Sequence, residues 1–270
     1  TKQGKKADKI KVDFTANLTA QFYTKQSKMK LLDTKGYATA MAQAALNDGI
    51  DPVAYASNYG LNLNAAEGVG IRVWNPTTNQ YVNYTINGLY DGFINAKRTM
   101  MFSDTDWVRE ISRTGFSRNY SVSISSATDK LTSMLSLGYK KNDGILKYTN
   151  FSSIQARLNN SYRLNNILKV GENFTISYNK QVDGAPMENA LKISPIVPVY
   201  EKNGITFGGP VGGMSDRQNP MRELYHNKDN HLDYWHVFGN MYVDITPVKG
   251  LLFRSNFGVD YTTSFINALT

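Results

Sequence analysis

Polar and apolar residues alternate with a period of two along much of this chain. The seven even positions from Ile10 to Phe22 are apolar, and the odd positions between them are polar. Successive side chains of a β-strand point to opposite sides, so each such segment has one apolar and one polar face. The pattern predicts seven strands: Lys9–Thr24, Arg118–Ser126, Leu131–Lys140, Phe151–Arg163, Leu168–Asn179, Tyr234–Ile245 and Leu251–Tyr261.

The predicted strands are long, most of them 9 to 14 residues. Strands of soluble proteins are commonest at about 5 to 6 residues, whereas a tilted strand needs about 9 to 11 residues to cross a membrane. The polar faces consist mainly of Ser, Thr, Asn, Gln and Lys, which suits a water-filled interior. The apolar faces suit contact with lipid.

The connections between the predicted strands alternate between tight and longer. Transmembrane barrels show this asymmetry, with short turns on one side of the membrane and long loops on the other. The sequence therefore predicts an all-β fold: an antiparallel meander forming about seven strands of a larger transmembrane β-barrel. Residues 25–117 and 180–233 are predicted to be long extracellular loops that carry short helices. One such helix is expected to start at Asp33, run to Asn47 and end at Gly49.

The composition excludes several classes of protein. The chain has no cysteine, which removes disulfides and thiolate metal sites. Its apolar runs are too short for a membrane-spanning helix. The net charge of +8 is concentrated in the first 35 residues, so we expect no nucleic acid partner. The chain starts at Thr1 without a visible signal peptide, and both ends are expected to be points of truncation or processing.

No arrangement of residues in the sequence indicates catalysis, and we predict no catalytic, metal-binding or cofactor-binding residue. His226, His231 and His236 are spaced by five, which places neighbours on opposite sides of an extended strand. The glycine-rich stretch 208–213 lacks the Lys-Ser/Thr of a phosphate-binding loop. An enzyme would need convergent acid and base groups, which the sequence does not offer.

Aromatic residues fall into two groups. Those near the ends of predicted strands indicate interfacial girdles: Phe22, Tyr23, Tyr139, Phe151, Tyr162, Tyr178, Tyr234, Trp235 and Tyr261. Those in the first long loop either stack on a substrate or pack the loop together. We name four of them as candidate substrate contacts: Trp74, Tyr81, Tyr84 and Trp107.

Several segments of the chain resemble the SusC/RagA-type TonB-dependent outer-membrane transporters of Bacteroidetes. The resemblance runs across nearly the whole chain. Its clearest segments are Thr105-Asp106-Trp107, Asn119-Tyr120-Ser121-Val122-Ser123-Ile124-Ser125, Leu135-Ser136-Leu137-Gly138-Tyr139, Asp143-Gly144-Ile145-Leu146-Lys147, Leu168-Lys169-Val170-Gly171, Pro195-Ile196-Val197-Pro198-Val199-Tyr200 and Pro247-Val248-Lys249-Gly250-Leu251.

This resemblance implies an active importer of oligosaccharides or peptides in the cell outer membrane. Residues 1–8 would join an N-terminal plug, absent here, to the first strand of a barrel of about 22 strands. The implied partners are a SusD-like surface lipoprotein, TonB acting through the plug, membrane lipid and the substrate. No enzymatic activity and no cofactor are implied. The alternative is a soluble all-β carbohydrate-binding or adhesin module, in which a second sheet would cover the apolar rows.

Overall fold

The computed structural model describes two compact units. The sheet unit consists of Thr1–Phe22, Thr114–Asp183 and Asn227–Thr270, and the insert unit consists of Tyr23–Arg113 and Gly184–His226. Among the described residues, no helix is both long and apolar enough to cross a membrane. The residues described are 7–24, 30–59, 61–86, 89–91, 99–101, 103–201, 203–209 and 217–268.

Seven antiparallel strands form the sheet unit, which confirms the predicted meander. Every neighbouring pair is antiparallel, and the order across the sheet is β1-β6-β7-β8-β9-β10-β11. The strands are 13 to 18 residues long, so most extend beyond the predicted ends. Their bounds are β1 Ala7–Gln21, β6 Gly115–Ala127, β7 Leu131–Asp143, β8 Asn150–Arg163, β9 Leu168–Val182, β10 His231–Val248 and β11 Leu251–Asn267.

The strand register brings the apolar positions of all seven strands onto one face. Residues directly opposite one another share a face of a sheet, so one row can be followed from strand to strand. One such row is entirely apolar or aromatic and crosses the whole sheet: Phe14, Val122, Leu137, Ala156, Ile176, Val237 and Tyr261. The alternation in each strand therefore becomes a two-faced sheet.

Local turn chemistry fixes the tight connections. Between β8 and β9, the side chain of Asn165 accepts hydrogen bonds from the backbone N–H groups of Ile167 and Leu168, both at 2.8 Å. This Asx turn reverses the chain within four residues. Between β10 and β11, Gly250 adopts a φ of 91°, a value that only glycine accommodates easily. These turns set the register of the hairpins that they close.

The two long connections do not remain open loops, because they fold together into the insert unit. Its helix α1 (Thr34–Asn47) starts as predicted, since the Asp33 side chain accepts from the Gly36 N–H at 2.7 Å. Gly49 follows with a φ of 70°. The other elements are α2 Pro52–Ser57, β2 Val69–Asn75, β3 Gln80–Ile86, β4 Leu89–Asp91, β5 Thr99–Met101, α3 Trp107–Ile111, α4 Met187–Lys192 and α5 Pro220–Asn227.

The buried residues of the insert unit come from both connections. Trp107 from the first donates its indole N–H to the carbonyl of Ser194 in the second, at 3.1 Å. The Thr105 hydroxyl donates to the Val197 carbonyl at 2.8 Å. Ile196 and Val197 are fully buried. The predicted loops thus contribute to a hydrophobic core of their own.

Gly239 on β10 lies directly opposite Phe174 on β9, and this position gives a stability test. A Cβ added there would lie 2.4 Å from the Asn173 carbonyl oxygen, whereas at Gly258 its nearest neighbour would be 3.6 Å away. We expect Gly239→Ala to destabilise the sheet by about 1–3 kcal/mol through overpacking. Gly258→Ala should change stability by no more than about 0.5 kcal/mol. Equilibrium unfolding in denaturant measures both, and equal stabilities would contradict the register.

Candidate functional site

The apolar face of the sheet unit is exposed. Phe14 and Leu18 on β1 are 70% and 72% exposed, and Ile176 on β9 is 43% exposed. A soluble protein rarely leaves a contiguous apolar surface of this kind uncovered. In the structure these side chains do not lie in the dry interior that a two-layer sandwich would require.

The height of the apolar face matches a bilayer. Along β9, the ten-residue rise from Leu168 to Tyr178 corresponds to about 33 Å of strand, and a tilt of about 40° reduces this to about 25 Å. At the upper limit, β6 to β10 carry the neighbouring residues Tyr120, Tyr139, Ile154, Tyr178 and Trp235. The next row is polar: Arg118, Lys141, Ser152, Lys180 and Asp233. Four of the first five residues are aromatic and four of the second five are charged, an order that is typical of a membrane interface.

The strand register places some of the predicted girdle residues in one row of the apolar face and others on the polar face. Tyr139, Tyr178 and Trp235 share the interfacial row, and the rings of Tyr178 and Trp235 are 5.0 Å apart. Phe151 and Tyr234 lie near strand ends, but their partners Gln181 and Asn179 belong to the polar face. Closeness to a strand end therefore predicts the position of a residue along the strand, but it does not predict which face of the sheet the side chain is on.

One polar chain interrupts the apolar face. The Ser133 hydroxyl donates to the side-chain oxygen of Asn160 at 2.6 Å, and the side-chain NH₂ of Asn160 donates to a carboxylate oxygen of Glu172 at 2.9 Å. The three residues are direct neighbours across β7, β8 and β9. The strand partner of Glu172 on the other side is Met241, which supplies no hydrogen bond there. The Asn160 amide is thus the group that compensates this carboxylate on a lipid-like surface.

The opposite face presents a wall of hydrogen-bonding groups. Asn173 donates to Asn240 at 3.1 Å, and Asn240 donates to Asn256 at 2.6 Å, so three strands are linked by side-chain amides. Near the tight turns, Asp244 accepts two hydrogen bonds from Arg254. Such a face suits contact with water and polar solutes.

The histidines have separate partners and do not converge. His236 contacts Asp260 at 2.9 Å, His231 contacts the Asp229 carbonyl at 2.9 Å, and His226 packs near the Phe207 ring in the insert unit. In the described part of the chain, no group of three or more His, Asp or Glu side chains is placed to hold a metal ion. Of the glycine-rich stretch, Gly208 donates to the Val199 carbonyl at 3.0 Å, and residues 210–213 lie outside the described residues.

A second candidate surface lies on the β2–β3 hairpin of the insert unit. Burial alternates along β2, so that Ile71 and Val73 are buried while Arg72 and Trp74 are exposed. Trp74 pairs directly with Tyr81 across the hairpin, and their rings are 5.0 Å apart and inclined by 70°. Two of the four predicted contact residues are therefore neighbours on one exposed face.

The side chain of Gln43 on α1 holds this hairpin in place. Its amide donates to the Trp74 carbonyl at 2.7 Å, and its oxygen accepts from the Trp74 N–H at 3.0 Å. The glutamine side chain thus pairs with the edge of β2 as a backbone would. This contact fixes the position of Trp74 relative to the helix.

The other two predicted contact residues lie elsewhere. Tyr84 is on the inner face of the hairpin with Val82 and Ile86, and burial raises the pKa of its phenol. Trp107 is 1% exposed and packs in the core of the insert unit. The structure therefore gives Trp107 a packing role, because its indole is covered on all sides. Sequence reasoning missed Arg72 and Gln43, although the alternation from Gly70 to Asn75 could have identified Arg72.

Comparisons with known proteins point to one group of transporters. No family model matches the chain. The chain is 29% identical over 153 residues to the TonB-dependent receptor P26 of Formosa agariphila, a match covering 56% of this chain and 15% of that protein. It is 30% identical over 167 residues to the TonB-dependent receptor SusC of Bacteroides thetaiotaomicron, covering 53% of this chain and 16% of that protein.

Solved structures of the RagAB peptide importer share the fold. The closed-closed state matches with a TM-score of 0.60 and the open-open state with 0.61, each at 19% identity and over 98% of this chain and 29% of that chain. The chain thus spans less than a third of these structures and about a sixth of the curated relatives. These matches confirm the resemblance to SusC/RagA-type transporters, and the RagAB structures share the open antiparallel sheet.

The polar chain on the apolar face gives a second stability test. Asn160→Leu would leave the Glu172 carboxylate without its donor, and we expect a loss of about 1–3 kcal/mol in unfolding free energy. Adding Glu172→Leu should restore most of that loss, since both polar groups are then gone. Denaturant unfolding of the two single variants and the double variant forms the cycle. Additive losses would contradict the contact.

The Gln43 contact predicts a local effect on hydrogen exchange. Gln43→Ala removes both bonds to Trp74, and we expect the protection of the Trp74 amide to fall roughly fivefold or more, given about 1 kcal/mol per hydrogen bond. Gln43→Glu keeps the acceptor for that N–H but loses the donor, so it should have a smaller effect. Exchange followed by NMR or mass spectrometry measures both, and unchanged protection in the alanine variant would refute the contact.

Proposed function

We propose that this chain forms part of the barrel wall of an outer-membrane active transporter. The apolar face contacts lipid, and the amide-rich face lines the conduit. The observation that carries this proposal is the register, which aligns apolar residues of seven strands on one exposed face. A surface about 25 Å high and bounded by an aromatic row is what a transmembrane barrel requires.

The free edges of the sheet support its place in a larger barrel. Among the described residues, the outer edges of β1 and β11 pair with no other strand. Unpaired backbone groups are costly inside a bilayer, so each edge needs a neighbouring strand there. Further strands of the transporter would supply these neighbours.

Import energised by TonB, with a SusD-like lipoprotein as partner, is the activity we assign to the whole transporter. The curated relatives are named TonB-dependent receptors, one of them SusC, and the structural neighbours are a peptide importer. Those relatives are receptors and transporters, which favours a conduit over an enzyme. The substrate is an oligosaccharide or a peptide, and the insert unit, formed from the segments predicted to be extracellular, would contact it through Trp74 and Tyr81.

The alternative, a soluble carbohydrate-binding or adhesin module, is disfavoured by the exposed apolar rows. In such a module Phe14 and Ile176 would pack against a second sheet, yet both are exposed. The module would also need no aromatic row at a constant height. We therefore retain the membrane interpretation.

Cysteine labelling tests the orientation of the wall, because the chain contains no native cysteine. Ile176→Cys on the apolar face and Ser177→Cys on the polar face are adjacent in β9, so each is the control for the other. In membranes of cells that make the protein, we expect a water-soluble maleimide to label Ser177→Cys at least about tenfold faster, since the bilayer covers position 176.

Equal labelling rates would contradict a lipid-facing apolar side. So would a monodisperse, detergent-free monomer, which is the behaviour expected of the soluble alternative. Both measurements concern the sheet unit and are independent of the substrate.

A further inference from the structure

We propose that the exposed face of the β2–β3 hairpin binds an acidic saccharide, a sugar chain that carries uronic acid carboxylates. The site consists of Arg72, Trp74, Tyr81 and Asn83. This proposal deepens the proposed function and rests on it only for the step from binding to uptake. It narrows the substrate from oligosaccharides and peptides to one chemical class.

The strand register places the four side chains in one patch. Arg72 is directly opposite Asn83, and Trp74 is directly opposite Tyr81. All four are exposed, with Trp74 at 36% and Tyr81 at 56%. Two adjacent cross-strand pairs on one face lie within reach of a single ligand.

Trp74 is the aromatic surface offered to a sugar ring. Its ring meets that of Tyr81 at 70°, and Arg72 lies over the Tyr81 ring, so the three side chains form a shallow corner. The face of an aromatic ring carries partial negative charge, which suits the C–H groups on the flat side of a pyranose. The side-chain amide of Asn83 supplies both a donor and acceptors for sugar hydroxyls beside this corner.

Arg72 supplies the preference for an acid. Its guanidinium carbon lies over the Tyr81 ring, 4.2 Å from the ring centre, which is a cation–π contact. This contact uses the ring face, and the N–H groups of the guanidinium can still form a two-point contact with a carboxylate. In the described structure no acidic side chain pairs with Arg72, whereas Arg118 contacts Asp143 and Arg254 contacts Asp244.

The platform is already ordered before a ligand arrives. Gln43 fixes the backbone of Trp74, and the inner face of the hairpin is buried through Ile71 and Val73. A preformed site loses little conformational entropy on binding. At Gly70, the next exposed position of β2, an added Cβ would meet nothing within 4 Å, so this face of the strand is also open beside Arg72.

The edges of the hairpin disfavour a peptide ligand. Extended peptides commonly bind by adding a strand to a free sheet edge. On the β2 edge the backbone of Trp74 is already paired with Gln43. On the β3 edge the Thr85 N–H donates to the Leu63 carbonyl at 3.2 Å, and the Thr85 carbonyl accepts from Ala65 at 3.1 Å. Both edges are thus partly occupied, while the exposed face stays open.

A matched pair of ligands isolates the contribution of the carboxylate. The probes are trigalacturonate and its fully methyl-esterified form, which share one skeleton and differ in charge. Isothermal titration calorimetry on the full chain in detergent or lipid discs measures both affinities. We expect the acid to bind at least tenfold more tightly than the ester. Raising the salt concentration should lower the affinity for the acid more than the affinity for the ester.

Variants then assign the preference to the patch. Arg72→Gln should bring the acid and the ester within about twofold of each other, and Arg72→Lys should keep part of the difference because it retains charge without the planar fork. Trp74→Ala should lower the affinity for both ligands. Arg109→Gln changes an exposed arginine of the same unit and should leave both affinities unchanged. Hydrogen exchange of the Thr85 amide confirms that the hairpin stays folded in each variant.

Three results would overturn the proposal: equal affinity for acid and ester, no binding of either, or an acid preference that survives Arg72→Gln. Displacement of trigalacturonate by a triglutamate peptide at equal concentration would also overturn it, because the site would then recognise charge alone. A negative result in these binding experiments would not change the expected cysteine labelling of β9, which tests the membrane role separately. Failure of that labelling would remove the membrane role without changing these affinities.

Discussion

A slip of one residue between any two neighbouring strands would turn the apolar side chains of one strand onto the polar face. The sheet unit avoids this because turn residues such as Asn165 fix the hairpins locally. The apolar row from Phe14 to Tyr261 exists only because six successive pairings keep the same parity. Both the proposed lipid-facing role of the apolar face and the proposed conduit lining follow from that shared parity.

Polar side chains on the two faces of the sheet differ in the hydrogen-bond partners that are available to them. On the wet face the amides of Asn173, Asn240 and Asn256 can bond to one another or to water and solutes. On the apolar face Asn160 donates to Glu172, and in the proposed membrane setting this local bond is required because hydrocarbon offers no donor. The same residue type is thus a flexible contact on one side and a required partner on the other. The insert unit is built differently: it buries its apolar side chains in a core of its own.

Sequence reasoning reached the strands, the meander and helix α1, because their signals are local in the chain. It did not reach the insert unit, whose core depends on contacts such as Trp107 with Ser194, 87 positions apart. No periodic pattern reports such a contact. Tyr81 and Tyr84 looked equivalent as loop aromatics, and only the hairpin separates the exposed Tyr81 from the half-buried Tyr84. Phe151 was misassigned although its parity was readable from the sequence.

The unequal connection lengths have a consequence for how the sheet forms. Strands β6 to β9 are joined by short connections, so their hairpins close with little loss of chain entropy. Strand β1 must instead meet β6 across more than ninety intervening residues, a contact of far higher contact order. We therefore expect the central hairpins to nucleate assembly and β1 to join late. Strand β1 would then dock last, although it is the first strand of the sheet along the chain.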